Sequence, residues 1–376
     1  MSLTQDEAFA RIRLLRSPNI GPVSYGQLLR RFGDAVRALA ALPDLAARGG
    51  TPYKAAPESR IHDEIAAVKR AGARYLFHDS YDYPALLAQS EGAPPILIVR
   101  GDGAVAHRPS VAIVGARNAS AAAVKLARDF AAALAEAGFA VVSGLARGID
   151  GAAHRGALSA GGRAQGGGTI GVIASGIDIA YPPEHAELQE QVAREALLIA
   201  EQPPGTEPLA RHFPSRNRII AGLAMGTLVV EAAPRSGSLI TARLAGEYGR
   251  EVMAIPGSPL ESRSHGCNQL IREGAVLVQS PEDVIELLTG FDGIPRSTVR
   301  EAAPSYATAA FAVAAEEEPA GEPADIAGLL TAAPVAVDEL IRQSGQGASA
   351  VQLALLELEI AGRLSRHAGG KVSLSS

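Results

Sequence analysis

With 376 residues, 47% of them hydrophobic, the chain is long enough for one large core and one or two small modules. Its formal charge of −5 excludes a globally basic body, so any site for a polyanion has to be a local patch. The single cysteine, Cys267, excludes a disulfide framework and an all-cysteine metal site.

The N-terminal MSLTQDEAFARIRLLR has no apolar signal core, and no run approaches a membrane span, which predicts a soluble cytoplasmic protein. Residues 1–75 read as short helices. Asn19-Ile-Gly-Pro-Val-Ser24 separates two helical patterns, and Tyr25 to Phe32 places Leu28, Leu29 and Phe32 at helical spacing. This stretch resembles a helix-hairpin-helix or SAM-like unit, whose Gly-rich turn can present backbone N–H groups to a phosphate; a plain tight turn between packed helices is the other reading. Arg30, Arg31 and Arg37 are either phosphate contacts or a solvated face.

From Tyr75 the pattern changes. Apolar runs at Ile96–Val99, Val111–Val114, Ala140–Val142, Thr169–Ile173, Leu197–Ala200, Thr227–Val230, Val252–Ile255 and Val276–Val278 alternate with helical stretches such as Ala119–Ala137 and Ser238–Tyr248. Continuous apolar strands alternating with helices mean a parallel sheet covered on both faces. The expected core is a doubly wound α/β domain over residues 76–292. Residues 293–324, rich in Ala, Pro and Glu without an apolar period, read as a flexible linker. Residues 325–376 then offer three short helical runs and a hairpin around Gly369-Gly370, a winged-helix outline. Its third helix carries Gln352, Glu357 and Glu359, so it repels phosphate more than it attracts it, and an interaction or regulatory module is expected there.

The carboxyl ends of the predicted strands are uniform. They run into Gly115-Ala-Arg117, Ser143-Gly-Leu-Ala-Arg-Gly-Ile-Asp150, Ser175-Gly-Ile-Asp178, Glu231 followed by Arg235-Ser-Gly-Ser238, and Pro256-Gly-Ser258. In open α/β sheets ligands collect at these ends, where glycines admit close approach and helix N-termini supply donors. The richest stretch is Arg211–Thr241: Phe213, Arg211, Arg216 and Arg218 crowd the start of a helix, suiting phosphates and a stacked base. Gly166-Gly-Gly-Thr-Ile-Gly171 matches a dinucleotide fingerprint letter for letter but enters a strand instead of leaving one, and no Walker A sequence occurs, so no cofactor is expected. Catalytic readings are thin: His154 lies four residues after Asp150, Ser143, Ser175 and Ser236 have no obvious activating base, and Cys267 near His265 is by default a buried thiol. No catalytic or metal-ligating residue is assigned.

VAIVGAR, VVSGLARGIDGAAH, TIGVIASGIDIAYPPEH, the long run from FPSRNRII to MAIPG, and GCNQLIREGAVLV closely resemble, in order, the motifs of the DNA processing protein A family, DprA, also called Smf. They cover most of residues 110–280; the glycine-rich Gly161–Gly168 looks longer than usual for that family. The resemblance implies an extended Rossmann-like core between an N-terminal helical module and a C-terminal winged helix. It also implies sequence-independent binding of single-stranded DNA, loading of RecA onto incoming strands in natural transformation, and a homodimer. Carried onto this chain, Arg117 would clamp a phosphate, Ser143 and Gly144 would offer donors, Phe213 would stack on a base, and Arg211 and Arg216 would draw in the backbone. Many relatives place a lysine just before the Phe-Pro pair, where this chain has Arg211 and His212.

Two residues apart on a helix, Arg216 and Arg218 cannot both face one groove, so one is expected to pair internally, with Glu201 or Glu231. Asn217 either caps a loop or touches DNA, and Ser236 and Gly237 either donate to a phosphate or only terminate the strand. A competing resemblance is to nucleotide-processing phosphoribohydrolases of the lysine-decarboxylase-like type, whose PGGxGTxxE pattern supplies a catalytic Glu; here Thr241 falls at that place.

Overall fold

The computed structural model describes residues 3–160, 166–289, 325–367 and 369–375. The chain forms two compact units, Met1–Asp63 with Glu301–Ser376, and Glu64–Arg300. The expected linker over residues 293–324 and most of the glycine-rich stretch from 161 lie outside the described residues.

The first unit begins with α1 (Gln5–Arg16), α2 (Pro22–Phe32) and α3 (Ala35–Arg48), and α4 (Glu58–Arg70) spans the boundary between units. Each of the first three starts where the sequence supplies a stop: Thr4 and Asp34 accept backbone N–H groups as caps, and Gly21-Pro22 opens α2 with proline in the first turn.

The second unit holds a nine-stranded sheet: β1 (Arg74–Phe77), β2 (Ile96–Gly101), β3 (Ser110–Val114), β4 (Ala140–Ser143), β5 (Thr169–Gly176), β6 (Leu197–Gln202), β7 (Gly226–Val229), β8 (Glu251–Ala254) and β9 (Val276–Leu277). Their spatial order is β1-β2-β6-β5-β4-β3-β7-β8-β9. From β6 to β9 every pairing is parallel, whereas β2 runs antiparallel to β6 and β1 to β2. All eight predicted strands are present, and β1 is an additional one. With only Leu76 buried, β1 lacks the continuous apolar run that marks the others. Between strands lie α5 (Ala85–Ala88), α6 (Ala121–Glu136), α7 (Ile149–Ala160), α8 (Ala186–Glu195), α9 (His212–Leu223), α10 (Gly237–Glu247) and α11 (His265–Arg272), with α12 (Pro281–Leu288) after β9. Both faces of the sheet are covered, as its unbroken apolar strands require: Ala112 and Val114 pack toward Ile219, Ile220 and Ala242, while Val111 and Ile113 pack toward Ala127, Phe130 and Ala152. The chain builds β3 to β6 outward in one direction and then crosses, through α9, to β7 on the other side of β3. The crevice outside the ends of β3 and β7 is therefore a topological switch point, where such sheets bind ligands.

The first unit is completed by α13 (Ile326–Leu329), α14 (Val337–Ser344) and α15 (Ala348–Ile360), with β10 (Val335–Ala336), β11 (Leu364–His367) and β12 (Lys371–Leu374) in a small antiparallel sheet. The winged-helix outline is thus present, but the two terminal modules do not stand apart. Helix α15 is mostly apolar, with Glu357 and Glu359 paired to Arg48 and Arg366, and it is buried on two sides. Val351, Leu355 and Leu358 fill the winged-helix core, while Leu356 and Ile360 pack with Leu14, Leu28, Leu42 and Leu45. Gly49 admits this contact, since a Cβ there would lie 2.4 Å from the Glu357 carbonyl oxygen. The Asn19–Ser24 turn is committed to the same packing: Asn19, at φ 60°, donates from Nδ2 to the Ile360 carbonyl at 3.1 Å, and the Gly21 N–H donates to Ser24 Oγ. No described helix is long and apolar enough to cross a membrane.

Candidate nucleic-acid interface

Three strand ends are tied together at the switch point. The Ala116 N–H after β3 donates to the Glu231 carbonyl after β7 at 2.7 Å, and the Ile149 N–H at the start of α7 donates to the Ala116 carbonyl. Two glycines make this approach possible: a Cβ on Gly115 would lie 2.6 Å from Ile149 Cγ1, and one on Gly148, at φ 69°, would lie 2.2 Å from the Ala116 carbonyl oxygen. The Glu231 carboxylate accepts from Ser120 Oγ at 2.6 Å, which binds the β7 end to the start of α6.

On this frame lies a groove of about 640 Å³, walled by Arg117, Asp150, Phe213, Arg216, Asn217 and the turn Pro234–Ser238 among others. The Phe213 ring lies 4.9 Å from the Arg117 guanidinium carbon and 5.9 Å from that of Arg216, with the Tyr181 ring centre 5.8 Å away at 60°. Arg117 is exposed. Arg216 is buried, its guanidinium 3.8 Å from the equally buried Asp150 carboxylate. Burial pushes the Asp150 carboxyl up and the Arg216 guanidinium down; each opposes the shift of the other by holding the opposite charge. An exposed cation and a buried one beside an aromatic ring suit a stacked base flanked by phosphates.

The predicted site residues divide. Arg117, Phe213, Arg216, Asn217, Ser236 and Gly237 come together around the groove. Arg218 does not: it pairs with Glu201 and donates to the Gly92 carbonyl, so it is the internally engaged member of the arginine pair. Arg211, immediately before α9, is exposed and outside the groove wall. Ser143 must be corrected. Its side chain is fully buried and its hydroxyl donates to the Ile113 carbonyl at 2.6 Å, because the last residue of β4 points into the sheet. Gly144 lines a small pocket with Arg117, Tyr181 and Phe213, but its N–H is bonded to the Asp150 carboxylate and it lies beneath the Arg216 side chain. A Cβ there would fall 1.2 Å from Arg216 Nη1, and the glycine makes room for the arginine. Asn217 braces the next turn, donating from Nδ2 to the Gly237 carbonyl at 3.3 Å, and Ser236 caps α10 by accepting from the Ser238 N–H. Tyr181 and Asp150 are the residues that reading by motif missed. Tyr181 stands in the YPPEH run with no local signal for a stacking partner, and Asp150 reads as an acid–base candidate with His154 until Arg216 is seen beside it.

The residues weighed for catalysis are engaged elsewhere. Ser175 Oγ donates to the Ile179 carbonyl, Cys267 is buried with its thiol pushed up to about 11, and His265 faces the Pro259 carbonyl. Gly167 fits the chain against Phe139, whose carbonyl oxygen a Cβ would meet at 2.0 Å, and Thr169–Gly176 is strand, so the glycine run enters the sheet as expected. His154 is fully buried, with Nδ1 2.8 Å from Thr169 Oγ1; that hydroxyl donates to the Val141 carbonyl, so His154 Nδ1 is the donor to it. Burial holds the imidazole down to about 3. The neutral ring therefore stabilises the fold fully above the unfolded value of about 6.5, and that contribution is lost as the pH falls from there toward 3. Between pH 7 and 5 this removes about 2 kcal/mol, a loss that His154→Leu should not show in urea unfolding. Equal losses in both proteins would mean that the ring is not held neutral.

Sequence comparison places this geometry. A profile for DNA recombination-mediator protein A matches residues 74–289, flanked by matches to a DprA-like N-terminal HHH domain over 5–67 and a DprA winged helix domain over 310–370. The chain belongs to the DprA/Smf family. Protein Smf of Escherichia coli is 36% identical over 320 residues, covering 85% of this chain and 82% of that protein. The X-ray structure of DprA from Streptococcus pneumoniae matches with a TM-score of 0.62 at 35% identity, over 76% of this chain and 98% of that one. DprA from Helicobacter pylori, whose structure was described for its single-stranded DNA binding mode, matches with a TM-score of 0.51 at 28% identity, over 58% of this chain and 97% of that one.

Proposed function

We propose that this DprA/Smf protein binds single-stranded DNA without sequence preference, as a cytoplasmic homodimer that protects incoming strands and loads RecA onto them in natural transformation, and that it acts by binding and not by catalysis. The observation that supports this best is the Phe213 ring beside both Arg117 and the buried Arg216 at the sheet's switch point. Phe213 stacks on a base of any identity, Arg117 neutralises a phosphate, and Arg216, anchored by Asp150, lies against the ring and lends its charge to the groove. Asn217, Ser236 and Gly237 shape the far wall, and Arg211 adds charge at the entrance to α9. The hydrolase alternative loses its candidate residue, since Thr241 is buried at that place and the groove's carboxylate, Asp150, is held by Arg216.

The test is binding of labelled oligo-dT and its duplex counterpart across a salt series, with Arg117→Ala alongside. The expected result is strand-selective binding whose affinity falls with salt by a slope of about 0.7 per phosphate contacted, and a smaller slope in the variant. No binding at low salt would overturn the reading.

A further inference from the structure

The first unit carries a second groove, of about 430 Å³, whose walls come from both ends of the chain: Gln27, Arg30 and Arg31 on α2, and Ser349, Gln352, Leu353 and Leu356 on α15. It exists only because α15 packs on the N-terminal helices, and the Gln27 Nε2 to Gln352 Oε1 hydrogen bond of 2.9 Å closes its floor. Arg30 and Arg31 are both exposed, and neither has an acidic partner among the described residues. The neighbouring charges, in contrast, are spoken for: Arg37 pairs with Asp34, Glu357 with Arg48 and Glu359 with Arg366. No carboxylate lines the groove, on a chain whose net charge is −5.

We infer that this seam is a second contact for single-stranded DNA, distinct from the groove at Phe213. The inference rests on the proposed single-strand reading and extends it to the terminal unit. Two exposed guanidinium groups, that of Arg31 beside the Phe32 ring, attract phosphates and can lie flat on bases, and with Gln27 Nε2 and Gln352 Oε1 bonded to each other and Gln27 Oε1 buried, the Gln352 amide N–H is left to donate. Leu353 and Leu356 add an apolar floor for unstacked bases, which a duplex does not present. The same packing removes the alternative use of the module. In a DNA-reading winged helix the third helix would enter the major groove, but α15 exposes only its first residues, Ala348, Ser349 and Ala350, which bring no charged or amide side chain, and from Val351 to Ile360 none is exposed. The C-terminal module would therefore meet DNA at its seam with the N-terminal helices, and not through its third helix.

Salt-dependent binding of long oligo-dT to the full chain and to Arg30→Ala/Arg31→Ala tests this, with Arg37→Ala as a control that removes an already paired arginine. Loss of two phosphate contacts should lower the slope of log affinity against log salt by roughly 1.4, at about 0.7 per contact, with thermal unfolding unchanged and the Arg37 variant behaving as wild type. An unchanged slope and affinity in the double variant would overturn the seam site. The same change on duplex DNA would overturn its preference for single strands, and competition by poly-glutamate at equal charge would make it an acidic-protein site instead. Failure of the underlying reading would appear separately, as an intact wild-type slope in Arg117→Ala.

Discussion

Arg216→Met should lower the unfolding free energy by about 3–5 kcal/mol at neutral pH, because it leaves Asp150 as an uncompensated buried carboxylate. The two groups lie 3.8 Å apart with almost no access to water, and the Ala146 and Gly144 backbone N–H groups that also bond the Asp150 carboxylate are neutral and cannot replace the lost positive charge. The loss should depend on pH in a defined sense. Burial already raises Asp150, and removing Arg216 lets it climb further above its unfolded value near 4. Below that value the carboxyl is protonated in both states and no buried charge is exposed to the lost partner. As the pH rises, the unfolded state ionises freely while the folded state cannot, so the deficit grows. Urea unfolding should therefore show a smaller difference from wild type at pH 4.5 than at pH 8. Arg216→Met/Asp150→Leu should recover much of the stability, since removing both partners leaves no orphan charge. A single variant that costs under 1 kcal/mol at pH 8 would show that the pair does not hold the floor of the groove.

Phe213→Ala should weaken binding of oligo-dT by about 1–3 kcal/mol while leaving binding of an abasic strand of equal length nearly unchanged. The ring lies beside Arg117, Arg216 and Tyr181 and is only half-buried, so part of it is open to a base, and truncation removes stacking without opening the core. The chain has no tryptophan, so Phe213→Trp provides a single reporter whose emission should be quenched by oligo-dT and not by the abasic strand. Equal losses on both strands would assign Phe213 to shaping the groove for phosphates. No loss on either would remove it from the interface.

How much of this could be read from the chain follows the physics of each element. The parallel strands were legible because burial on both faces demands unbroken apolar runs, and no other element of four to eight residues imposes that pattern. Strand β1, half-exposed and at the sheet edge, is under no such demand, and the change of pattern at Tyr75 is its only trace. Glycine positions were legible, but not their reasons. Gly144 reads as a place for a ligand and is a place for Arg216, and Ser143 reads as a donor to solvent and donates inward to Ile113. That Arg216 and Arg218 must point apart follows from helical spacing alone, whereas the choice of Glu201 over Glu231 for Arg218 depends on which loop reaches it.

The apolar residues of α15, which lie on more than one side of the helix, likewise require burial on two sides without naming what lies on the second side; Leu14, Leu28 and Leu42 arrive there from the other end of the chain. By itself, then, the sequence determined the family, the doubly wound core, the order of its strands along the chain and the row of glycine loops at their ends. These depend on local period and on residues within a single turn. Tertiary structure alone decided which arginine is buried, that Asp150 anchors it, that Tyr181 stands beside Phe213 and that the two ends of the chain share one core. Those outcomes depend on contacts between segments far apart in sequence, whose partners are chosen by packing and charge compensation only after the strands have taken their places.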